Sequence, residues 1–167
     1  MKTFKILFAF FLLTTGIANA QFTRAELQIS GLSCALCARA TENTLKNLPF
    51  ISEVKPDFMR NLFVITFKNN TTVNFDQVSK AVHDAGFFIS FLKANLNFDK
   101  IKIDGSRFNY GPDTFQVMNA ADKPLAGEVV LTIVDKGFAP RSVTKKYLAQ
   151  SVDAAPVKQG RLYHVAI

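Results

Sequence analysis

The sequence predicts an α+β chain, a βαββαβ unit followed by a small all-β region, and three observations carry that reading. Apolar patterns of period two and period 3.6 alternate in that order over residues 25–92. Beyond Lys93 the composition changes, and turn-forming residues punctuate short apolar stretches. Hydrophobic residues are 49% and charged residues 20% of the 167, a balance that supports a packed core and excludes a disordered tail or a polytopic membrane protein. Phe alone supplies 17 side chains, ample for one medium core or two small ones.

Residues 1–20 read as a secretory signal. Lys2 and Lys5 make a basic start, 6–13 is an unbroken apolar run too short to span a bilayer, and Ala18-Asn19-Ala20 is an A-x-A cleavage site that would leave Gln21 first. The formal charge of +7 and a pI near 9.5 would otherwise raise nucleic acid as a partner. Removal of the two leader lysines and the exported location argue against it. The expectation is a periplasmic or secreted protein with no transmembrane segment in the mature chain.

Ala25, Leu27 and Ile29 alternate with polar residues as in a half-buried strand, and Gly31-Leu32-Ser33 breaks the pattern. Residues 35–48 contain no Gly or Pro, keep Leu36, Ala40, Leu45 and Leu48 near helical spacing, and stop at Pro49. Residues 51–58 and 62–67 suit a hairpin turning at Met59-Arg60-Asn61. Asn74 caps a second helix that places Phe75, Val78, Val82 and Ala85 on one side, and Gly86 closes it before a fourth strand over 87–92. This order is the ferredoxin-like βαββαβ unit. It assigns 21–93 to one domain and 94–167 to a small β domain, a barrel or a sandwich, with strands such as 115–118, 128–134 and 163–167.

The chain's two cysteines, Cys34 and Cys37, form one C-x-x-C, and closing so short a loop restrains almost nothing in the unfolded chain. They point to chemistry, either a metal site or redox exchange. At a helix start the unpaired N–H groups favour thiolate. Two soft anions with no carboxylate or imidazole between them suit Cu(I), or another thiophilic ion such as Hg(II); Zn(II) prefers four ligands and the motif offers two.

Gly31-Leu32-Ser33-Cys34-Ala35-Leu36-Cys37 resembles the GMxCxxC loop of heavy-metal-associated domains, a family that includes copper chaperones, modules of copper-transporting ATPases and exported mercuric-ion-binding proteins. The resemblance runs from about Ala25 to Leu92 and takes in Glu42, Leu45, Leu48-Pro49 and Ala85-Gly86-Phe87. It implies that Cys34 and Cys37 are the two ligands, that Leu32 stands where the family has a buried Met, and that Phe87 packs near the site. Two positions depart from the pattern. Thr41 replaces an Ile or Val on the buried helix face, so its hydroxyl needs a partner such as the carbonyl one turn back, and Phe50 replaces the Gly after Pro49.

Other candidates read as structural or solvated: His83 off the apolar stripe of its helix, His164 in a strand, Met59 and Met118 as single thioethers, and Arg39 and Lys46 as surface charges or a docking face. The function expected is a non-enzymatic carrier that captures a soft ion, Cu(I) first and Hg(II) or Zn(II) next, and delivers it to a membrane metal transporter or acceptor protein, or sequesters it. The alternatives are a thiol–disulfide oxidoreductase on the same cysteines and an interaction protein whose pair stays oxidised. Leu62, Val64 and Thr66 would make one face of the hairpin too apolar for water, so the carboxyl-terminal region or a second copy is expected to cover it.

Overall fold

The computed structural model describes residues 21–32, 34–99, 101–119, 125–149 and 160–167. The leader at 1–20, Ser33 of the metal-loop motif and the Lys123-Pro124 turn lie outside the described residues. The first six elements are β1 (Phe22–Ser30), α1 (Ala35–Lys46), β2 (Ile51–Asp57), β3 (Leu62–Phe67), α2 (Phe75–Asp84) and β4 (Phe88–Asn97), in the βαββαβ order. The Asn74 side chain accepts the Gln77 N–H at 3.0 Å to start α2, and Gly86, at φ 86°, follows the C-cap Ala85. Thr41 is fully buried, and its hydroxyl donates to the Cys37 carbonyl at 3.0 Å, so the polar atom on this face is satisfied one turn back.

The carboxyl-terminal half differs from the separate all-β barrel or sandwich that its turns suggest. It contains β5 (Ile103–Asp104), β6 (Arg107–Tyr110), β7 (Asp113–Val117), β8 (Glu128–Ile133), a helix α3 (Arg141–Leu148) and β9 (Leu162–Ala166). Its strands continue the first sheet, giving nine strands in the order β2-β3-β1-β4-β8-β9-β7-β6-β5, antiparallel throughout except where β9 runs parallel to β7. The physical reason lies in β4. That strand runs on to Asn97, past the 93/94 boundary read from composition, and its outer backbone groups are satisfied by β8, with Ala94 opposite Leu131 and Leu96 opposite Val129.

One core joins both halves. Phe75 of α2 sits 4.9 Å from Phe22, 6.2 Å from Phe67 and from Phe115, and 6.0 Å from Tyr163, ring centroid to ring centroid. Phe22 on β1 also meets Phe115 on β7 at 5.6 Å, although three strands separate them in the sheet. The sheet therefore curls around α2 rather than spreading flat. Polar bolts reinforce the closure. The Tyr110 hydroxyl accepts the Val73 N–H and donates to the Thr71 carbonyl, Ser79 donates to the Gly137 carbonyl at 3.0 Å, and Arg161 pairs with Asp76.

The outer face of the hairpin is not covered by the carboxyl-terminal half, which leaves edge to edge from β4. Phe63, Ile65 and Phe67 are buried in the core, and Leu62 is buried as well, which removes the largest apolar group from the outer face. Arg60 lies on that side, paired with Glu26 and Asp57, and Arg24 stands beside Glu26. With Lys55 and Glu53, these charges make a face that water solvates.

Candidate metal centre

The end of β1 delivers the chain to Gly31 and Leu32, and α1 begins immediately after Cys34. Cys34 is the N-cap, with extended backbone at φ −131° and ψ 146°, and its Sγ accepts the Cys37 N–H at 3.2 Å. A sulfur thus occupies the place where Ser, Thr, Asp or Asn ordinarily caps a helix. The first turn of α1 carries no acid, so nothing there opposes a thiolate at the positive end of the helix.

The two Sγ atoms stand 2.8 Å apart, Cys34 exposed and Cys37 half-buried. The hydrogen bond from the Cys37 side chain, aided by the Cys37 N–H, holds the Cys34 thiol below its usual range. Hydrogen bonding to Cys34 pushes the Cys37 thiol up, with desolvation and the charge of Cys34 adding to it. The two thiols are thus unequal, Cys34 being the more acidic.

Leu32 is partly buried against the core beneath the loop. It lines a cavity of about 20 Å³ together with Ile29, Ala38, Phe58, Leu62 and Phe63. Phe87 is also half-buried, and its ring edge lies 3.8 Å from where a side chain on Gly31 would begin. Both residues stand next to the loop, where the resemblance places them. Phe50 is buried against Phe67, 6.4 Å between ring centroids, so the larger residue after Pro49 packs inward.

Among the described residues, neither histidine joins this pair in a metal-holding group. His83 is exposed, its ring edge-on to Phe88 at 6.0 Å. Lys46 is paired with Glu42 one turn back, Arg39 is exposed, and Met118 is half-buried. Met59 is exposed at the hairpin tip. His164 has a partner that the sequence did not reveal: Asp135 accepts from the His164 backbone N–H at 2.9 Å and contacts its Nδ1 at 2.7 Å. The two are 29 positions apart, Asp135 just past β8 and His164 within β9, and they meet only once the sheet has formed. Among the described residues, no group of three or more His, Cys, Asp or Glu is placed to hold an ion. The cysteine pair is thus, among the described residues, a two-thiol site without a third protein donor of those types.

The family model of the heavy-metal-associated domain matches residues 26–88. This segment is a heavy-metal-associated domain. A probable copper-transporting ATPase, HMA5 of Arabidopsis thaliana, is 32% identical over 75 residues, covering 45% of this chain and 7% of the ATPase. A zinc/cadmium/lead-transporting P-type ATPase of Shigella sonnei is 33% identical over 69 residues, covering 41% and 9%. The chain spans less than a tenth of either relative. Solved structures similar to the heavy-metal-associated domain include the N-terminal domain of ZntA in its apo form, at 30% identity and TM-score 0.35, covering 41% of this chain and 90% of that one. Oxidized MerP from Ralstonia metallidurans CH34 is 24% identical with TM-score 0.37, covering 43% and 96%. No described helix is long and apolar enough to cross a membrane.

Proposed function

We propose that the protein is an exported, non-enzymatic metal carrier that takes up Cu(I) through Cys34 and Cys37 outside the cytoplasm and delivers it to an acceptor protein or membrane metal transporter, or sequesters it. The observation that carries this reading is the accessible thiol pair at the start of α1, with no third His, Cys, Asp or Glu donor beside it among the described residues. Two thiolates saturate a near-linear Cu(I) site, and an open coordination position lets an incoming ligand take the ion on. Hg(II) suits the same geometry, and Zn(II) would need ligands from elsewhere. The leader at 1–20 supports export. Intact-mass measurement of the exported protein should give a chain starting at Gln21, and a retained Met1 would overturn the location.

The deciding experiment is metal analysis with chelator competition for Cu(I), Hg(II) and Zn(II) on the reduced protein. One Cu(I) per chain, bound more tightly than Zn(II), is expected. A thiol–disulfide oxidoreductase is the second reading, favoured by the lowered Cys34 thiol. Insulin reduction with a thiol donor separates the two, because the carrier shows no turnover.

A further inference from the structure

Seven large apolar side chains are exposed among the described residues, and four of them surround the metal loop. Leu36, between the two cysteines, is 81% exposed, and Phe88, opposite Ser30 in the β1–β4 register, is 67% exposed. Phe58 and Met59, at the β2–β3 turn, are 74% and 97% exposed. The turn lies at the same end because β1 is paired with β3, Leu27 opposite Phe63, and because Phe58 lines the small cavity under Leu32. Together the four present on the order of 500 to 600 Å² of apolar surface, at the upper limit of what a monomer leaves in water.

The charged pairs on the elements that bear this rim are matched with one another: Arg60 with Asp57 and Glu26, and Lys80 with Asp84. An anionic bilayer is held by a cluster of about four to eight Lys or Arg, and here Arg39 is the exposed cation beside the loop. A stable dimer buries about 800 Å² on each partner, more than this rim supplies. A small, neutral, apolar surface set around exchangeable ligands fits a short-lived protein encounter.

We infer that Leu36, Phe58, Met59 and Phe88 form a docking rim for a partner protein whose own metal-exchange face is apolar and near-neutral, so that recognition at this site runs on apolar contact rather than on charge. The inference rests on the carrier reading above and adds the chemistry of the partner.

Two synthetic acceptor peptides of equal net charge test it, both containing Cys-x-x-Cys, one flanked by Leu and Phe and the other by Ser and Thr. Cu(I) transfer from the loaded full chain is timed at about 0.1 M and about 0.5 M NaCl, and amide shifts of the reduced, metal-free chain are mapped with each peptide. The apolar-flanked peptide should take the ion about tenfold faster at both salt concentrations and should shift residues 58, 59 and 88. That advantage should vanish in Phe58→Ser/Met59→Ser and in Phe88→Ser, while chelator competition shows unchanged Cu(I) affinity in both. Equal rates with the two peptides would overturn the rim, as would an advantage abolished by salt. Rim-dependent sedimentation of a dimer, or rim-dependent binding to phosphatidylglycerol vesicles, would also overturn it. A chain that holds no Cu(I) would defeat the carrier reading instead, and the metal-free shift map would still decide the rim.

Discussion

Cys34 serves at once as a ligand and as the N-cap of α1, and substitutions can separate the two roles. Cys34→Ser keeps a capping oxygen and should lose tight Cu(I) binding with little change in thermal midpoint, whereas Cys34→Ala should lose binding and melt lower. Cys37→Ser should lose binding as well; a double variant that retains full affinity in chelator competition would remove the site. The thiols also titrate apart. Cys34 lies below the ordinary 9.0 and Cys37 above it, so iodoacetamide near neutral pH should label Cys34 first. Reactivity at Cys37 should appear only as pH rises through the upper part of the thiol range, and should move to lower pH in Cys34→Ser, where the sulfur partner is gone. Peptide mapping by mass spectrometry reads both. Nearby, Thr41→Val removes one satisfied hydroxyl from a buried position and should change stability by no more than about 1 kcal/mol in a denaturant titration.

Beyond the β4–β8 pairing, the elements of the two halves also meet at α2. Arg161 lies 5.4 Å from the Phe138 ring centroid and 4.6 Å from that of Tyr163, and it pairs with Asp76 on α2. Tyr163 is itself pushed up to about 12 by burial. The ion pair is too exposed to contribute more than about 1 kcal/mol, so much of what Arg161→Lys loses, in all about 1 to 2 kcal/mol by denaturant titration, should be the stacked guanidinium plane. Gly160→Ala should cost more, above about 2 kcal/mol, because a Cβ there would fall 2.0 Å from the Pro112 carbonyl oxygen at φ +72°. The sequence made the first four strands and both of their helices legible, through alternation, the Asn74 cap and the stop at Gly86, and it placed both cysteines. It hid the continuation of β4, since Asn95 and Asn97 read as turn-formers while their backbones pair with β8. It also hid α3, a helix of eight residues with none of them buried.

For the molecule as a whole, the shared core makes the boundary at 93 a poor place to cut. Truncation after Leu92 removes Ala94 and Leu96, both fully buried, and strips Phe115 and Tyr163 from Phe75. The truncated chain should lose its cooperative thermal transition; a midpoint equal to that of the full chain would show that the first half needs none of these contacts. The place of β9 has a consequence for when the molecule can form. It lies between β8 and β7, so β5, β6 and β7 reach the rest of the sheet only through residues 162–166. During synthesis those hairpins have no edge to join until residue 166 has emerged. Folding of this half must therefore wait on β9, and the long-range pairing makes it slow. Pulsed hydrogen exchange should show protection in β5, β6 and β7 arriving together with β9 and in a single phase.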